Sequence, residues 1–249
     1  MTHSRRQIAF TLIELLLVVA VIVLLIGLLL PALSRSRDSA NVVVCASNQN
    51  QIGQAQGAYL VDNGKRFPHL VNWAGLIGKK GTSGNYSAST LDVTARPLNK
   101  YVGNTQDGSS VDITQCPADL GDSFPSYNGG ITNCYKFYGT SYLPQWNSNA
   151  FRAKMVYGPA ANLSVRSMGM GQITSPKNKL LLADWSWHGN RPIADRMTRW
   201  HNKGNVRQFN TLFADMHVSY FVYPNEEVDV GYTGGSYGIL PPDPGFLWW

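Results

Sequence analysis

Residues 15–33 read LLLVVAVIVLLIGLLLPAL, a run without a single charge. As a helix, such a run spans the hydrocarbon core of a bilayer, about 30 Å thick. Arg5 and Arg6 precede it, as basic residues precede a secretory signal. The run is longer than the roughly 7–15 residues of a signal core, however, and no Ala-x-Ala box follows it. Glu14 stands at its head. A carboxylate in lipid costs several kcal/mol unless it is paired or lies at the interface. Glu14 is therefore either the polar edge of a span or one half of a charge pair.

The helical pattern does not stop at the membrane. Leu33, Ala40, Val44, Ile52, Ala55 and Tyr59 recur at helical steps, with Ser, Asn and Gln on the other face. A helix over about residues 10–60 would be roughly 75 Å long at about 1.5 Å per residue. Its first half is apolar all round, and its second half needs one face covered. Asp62, Asn63 and Gly64 supply the stop, and Pro68 follows.

The string AFTLIELLLVVAVIVLLIGLLLPAL, residues 9–33, resembles the class III signal of type IV pilins and type II secretion pseudopilins. The resemblance implies cleavage by a prepilin peptidase between Ala9 and Phe10, followed by N-methylation of Phe10. Ala9 stands where the family usually has Gly. Glu14 takes the place of the family's buried glutamate, and Pro31 that of its helix-kinking proline. The physical chemistry agrees with this carry-over. A new α-amino group at Phe10 is a cation in apolar surroundings, and Glu14 of the same or a neighbouring subunit can neutralise it. Pro31 lacks a backbone donor and would kink or locally melt the helix. The stretch YLVDNGKRFP also resembles the segment that follows the long helix of major pseudopilins.

Beyond Val71 the chain is short runs broken by turn signals, at 78–84, 104–110 and 127–133. Expected strands are 179–183, 211–214 and 217–222, rich in β-branched and aromatic residues. Several pieces of this body resemble the large pseudopilin-like proteins of Planctomycetes. They are Cys45 and Asn48 before Gln51, Ile52 and Gly53, then Cys116-Pro117, Ser141-Tyr142, ITSPKNKLLLADW, Arg199 with His201, and NTLFADMHVSYF. That group ends on a His, about nine residues, then Asp-Gly-His. Here His201 lies further from Asp215, and Met216 replaces the Gly, which implies a rebuilt turn.

The remaining chemistry is sparse. Charged residues make up 14% of the chain, well below the roughly 25% of soluble domains, and the net charge of +6 is scattered. A nucleic-acid partner would need a concentrated basic face, so none is expected. No nucleophile elbow, phosphate loop or zincin helix occurs, so no catalytic residues are assigned and the chain is not read as an enzyme. Asp184, His201, Asp215 and His217 are the one constellation resembling a metal site. Asp215 and His217 share strand parity, and the set would suit zinc, or calcium through its carboxylates. Without a tight ligand spacing, structural hydrogen bonding is the first expectation, a structural metal the second, and no other cofactor is expected. Cys116 and Cys134, close in turn-rich sequence, are the preferred disulfide, with Cys45–Cys116 as the alternative that would tie helix to body. Trp73, Trp146, Trp185, Trp187 and Trp200 are read as core, with a sugar-stacking surface as the alternative. The terminal Phe246-Leu247-Trp248-Trp249 is read as docked, since a loose patch of that kind would be sticky.

These readings combine into an α+β, pilin-like fold, with a long N-terminal helix packed against an antiparallel β-rich body. The divisions are 1–9 leader, 10–33 transmembrane and polymerisation helix, 34–62 amphipathic continuation, and 63–249 periplasmic or extracellular body. The implied function is that of a filament subunit serving type II-like secretion. Its partners would be itself, the prepilin peptidase and methylase, and an inner-membrane assembly platform. The precursor would sit in the bacterial inner membrane and the product in a periplasmic or surface filament. The alternatives are a surface pilin for adhesion and a monomeric, membrane-anchored protein that binds a ligand or metal.

Overall fold

The computed structural model describes residues 11–82, 90–103, 106, 108–122, 131–145, 154–159, 166–187, 197, 199–201, 204 and 206–223. Ala9, Phe10, Trp146 and the aromatic C-terminus lie outside them.

A single helix, α1, covers Leu12–Asp62 and runs through Pro31 without a break. Its start is fixed locally. The Thr11 hydroxyl accepts from the Glu14 N–H at 3.2 Å, while the Glu14 carboxylate accepts from the Thr11 N–H and hydroxyl, each at 2.9 Å. This is a reciprocal capping box. Its end is equally local, with Asn63 N–H bonded to Tyr59 O and both Gly64 and Lys65 in the left-handed region.

The chain divides into two compact units, Met1–Ala40 and Asn41–Trp249. In the first, every large apolar side chain from Leu12 to Leu33 is 46–79% exposed. The segment is long and apolar enough to cross a membrane. In the second, Cys45, Gln49, Ile52, Gly53, Gln56 and Leu60 form the buried stripe of α1, spaced as one face of a helix requires.

That stripe belongs to a core shared with the main sheet. The strands of the body are β1 (His69–Leu70), β2 (Tyr142–Pro144), β3 (Gly158–Pro159), β4 (Leu180–Asp184), β5 (Gln208–Phe213) and β6 (Val218–Val222). A short helix, α2, spans Cys134–Tyr138. The main sheet is antiparallel in the order β2-β4-β5-β6, while β1 and β3 form a small parallel pair. The central β4, LLLAD, is buried at every position, which is why its first four residues read as an unbroken apolar run instead of alternating. β2 tolerates Pro144 because it is an edge strand. Helix and sheet approach closely at Gly53, where an added Cβ would meet Leu212 Cδ1 at 2.9 Å.

The three expected strands are all present within a few residues of their expected bounds. Trp185, Trp187 and Trp200 are buried, as the core reading requires. Trp185 stacks on Tyr138 at 4.1 Å and donates through Nε1 to Asp122 Oδ2 at 2.8 Å, so the indole N–H is satisfied without water.

Candidate functional site

The most chemically dense place among the described residues lies where α1 meets β4 and β5. Asp184 closes β4 and is fully buried. Its Oδ1 accepts from Gln49 Nε2 on α1 at 3.1 Å, and its Oδ2 accepts from the Asn210 N–H of β5 at 2.8 Å. Gln49 Nε2 also donates to Asn210 O at 3.0 Å, and Asn210 Nδ2 to Val42 O at 3.1 Å. His201 faces the same carboxylate, with Nε2 3.3 Å from Oδ2 and both side chains shut off from solvent. A buried carboxylate demands such partners, since each unmade bond would leave charge in a low dielectric. The negative charge is felt around it. Burial first, and then Asp184, push the Tyr142 hydroxyl well above its usual range and that of Tyr220 to about 12.

The sulfurs lie against the same group. Cys45 on α1 is bonded to Cys116, with Cα atoms 5.2 Å apart. Cys116 Sγ is 3.4 Å from His201 Nε2. The preferred pairing of Cys116 with Cys134 is therefore corrected to the alternative. Proximity in sequence does not decide it, because Cys134 is committed elsewhere. It opens α2, where its N–H and that of Tyr135 donate to the Asp119 carboxylate, each at 2.9 Å. Asp119 also accepts from Gly121 N–H at 2.9 Å and from Ser141 Oγ at 2.7 Å. Burial raises its pKa while those four bonds pull the other way.

The expected metal quartet does not assemble. Asp184 and His201 come together, but Asp215 and His217 form a separate, exposed pair, with Oδ1 and Nδ1 2.5 Å apart. The parity argument fails because β5 ends at Phe213 and β6 begins at Val218, so both residues belong to a turn. Met216 adopts φ 68, the left-handed conformation a glycine would take. Among the described residues, the ligand-bearing side chains whose atoms all lie within 4.8 Å of one another are Cys45, Cys116, Asp184 and His201. Sequence reasoning missed the sulfurs as members of this group and Gln49 as its support. Gln49 carries a signal in hindsight, four residues after Cys45 on the same helical face. Thr11, which precedes Glu14 by three, also spelled a capping box.

The other candidate surface is the apolar helix with Glu14 exposed at its start. Over 98 residues the chain is 35% identical to the type IV wide pilus major component PilA4 of Thermus thermophilus, covering 39% of this chain and 72% of that protein. The chain belongs to the type IV pilin family. No protein-family model and no solved structure matches it. Family membership accords with the long apolar helix and the antiparallel body. It also supports a structural role for the chain.

Proposed function

We propose that this chain is the structural subunit of a pilus-type filament, made as a membrane-anchored precursor and assembled through the helix that begins at Leu12. The observation that carries the reading is the apolar surface of residues 12–33, exposed on every side of the helix. A surface of that kind must be covered by lipid before assembly and by neighbouring helices after it. The likeness to a pilus major component supports the same reading.

In this reading a prepilin peptidase cuts between Ala9 and Phe10, and the new amino group is methylated. Glu14 neutralises that amino group in the same or a neighbouring subunit, which sets the stagger between subunits. Pro31 loosens the helix where packing requires it. The filament serves type II-like secretion, built on an inner-membrane assembly platform.

Mass spectrometry of the chain from native membranes tests processing, and a mature chain beginning at N-methylated Phe10 is expected. Glu14→Ala should abolish filaments in sheared fractions while leaving the melting of the body unchanged. A chain still beginning at Met1, with Glu14→Ala silent, would reduce the helix to a plain anchor.

A further inference from the structure

We propose that Cys45, Cys116, Asp184 and His201 form a redox-gated binding site for a zinc-class divalent cation, closed while the disulfide is intact and open once it is reduced. This inference is independent of the filament reading. Two thiolates, an imidazole and a carboxylate make a four-ligand set suited to tetrahedral zinc.

The geometry already approximates that coordination shell. Zinc–ligand bonds of about 2.0–2.3 Å place neighbouring ligand atoms about 3.3–3.8 Å apart at the tetrahedral angle. His201 Nε2 lies 3.3 Å from Asp184 Oδ2 and 3.4 Å from Cys116 Sγ. All four ligand atoms fall within 4.8 Å of one another. The sulfur pair alone does not fit, because the sulfurs of any disulfide, about 2.05 Å apart, are too close to serve as two ligands. That bond must break before both sulfurs can ligate one cation.

The surroundings support a ligating role. Gln49 Nε2 and the Asn210 N–H hold the carboxylate in place, as outer partners do for metal-bound carboxylates. His201 packs edge-on against the Tyr220 ring, which limits its rotation.

The gating step balances by thiol–disulfide exchange with a dithiol reductant. One thiolate of the reductant attacks a sulfur of the Cys45–Cys116 bond, and its second thiol resolves the mixed disulfide. The reductant leaves as its own disulfide, having given up two electrons and two protons. Cys45 and Cys116 become thiols. Cation binding then displaces one proton from each thiol and forms two metal–sulfur bonds.

The test uses the full-length chain in detergent. It is reduced with dithiothreitol, freed of reductant without air, and titrated with Co2+. The reduced chain should take up one equivalent, with a sulfur-to-cobalt charge-transfer band and the visible bands of tetrahedral cobalt, and Zn2+ should displace it. The oxidised chain should show neither band. His201→Gln and Asp184→Asn should each weaken binding at least about tenfold, while Cys134→Ala should leave it unchanged. Absence of uptake by the reduced chain overturns the proposal. So does a spectrum that His201→Gln and Asp184→Asn leave unaltered, which would mean adventitious thiol binding. If the reduced chain loses its near-UV circular dichroism, recovery on adding one equivalent of Zn2+ supports the site, and failure to recover overturns it.

Discussion

Gln49 on α1 reaches Asp184 at the end of β4, with Nε2 3.1 Å from Oδ1 and both residues fully buried. The same nitrogen holds Asn210 O, so one amide joins the helix to two adjacent strands. Gln49→Leu keeps the volume and removes both bonds. It should destabilise the body by about 1–3 kcal/mol, the cost of leaving buried acceptors without a donor. Thermal melting followed by tryptophan fluorescence measures this, and a loss indistinguishable from zero would mean the amide is not a support.

The Cys45–Cys116 bond closes a sequence separation of 71 residues. A loop of that size restricts the unfolded chain enough to contribute about 4 kcal/mol. Non-reducing peptide mapping should recover the Cys45–Cys116 pair. Cys45→Ala should lower the denaturant midpoint far more than Cys134→Ala.

Lys179 is buried, its Nζ donates to Lys154 O, and burial together with the neighbouring Lys154 charge lowers its pKa to about 7. An unfolded lysine titrates near 10.4. Between these values the unfolded chain binds more protons than the folded one, so stability should rise with pH from about 7 towards 10. Below about pH 7 both states are protonated, and the full cost of burying the charge is present. Melting temperature across this window should climb by roughly 2–4 °C for each kcal/mol recovered. Lys179→Met should flatten the climb, and a variant that climbs as steeply as the parent would exclude Lys179 as its source.

Two left-handed positions should respond very differently to substitution. Gly121 has φ 94, and an added Cβ would lie 1.5 Å from Ile131 O, across the bridge between Asp122 and Ile131. Gly121→Ala should cost more than about 3 kcal/mol, since backbone must move on both sides. Met216 holds φ 68 while packing partly buried on the core. Met216→Gly relieves about 1 kcal/mol of backbone strain but gives up side-chain packing of similar size. Its net effect should stay within about 1 kcal/mol, as equilibrium denaturation would measure.

The elements governed by local signals were legible in the sequence. Asp62-Asn63-Gly64 stops the helix where turn residues predict, and the apolar run through Leu182 is a central strand. The pairings between distant segments were not. Nothing near Cys116 in the sequence reveals that α1 presents Cys45 to it, whereas Cys134 is near in the chain and turned to a different task by Asp119. Asp215 and His217 misled for a related reason. Alternation counts only inside a strand, and Met216, by taking a glycine's conformation, places both residues in a turn. The group around Asp184 draws on α1, β4, β5 and two loops, so no window of sequence contains it.

Cys45 is the first fully buried position along α1, and it is the position joined covalently to the body. Tension applied to the helix from its N-terminal side therefore meets a sulfur–sulfur bond before it meets the hydrogen bonds of Gln49 or the packing of Ile52. Non-covalent contacts open and close thermally and creep under a steady load, whereas a covalent bond does not. Reduction of one bond would leave the body held to its helix by hydrogen bonds and packing alone.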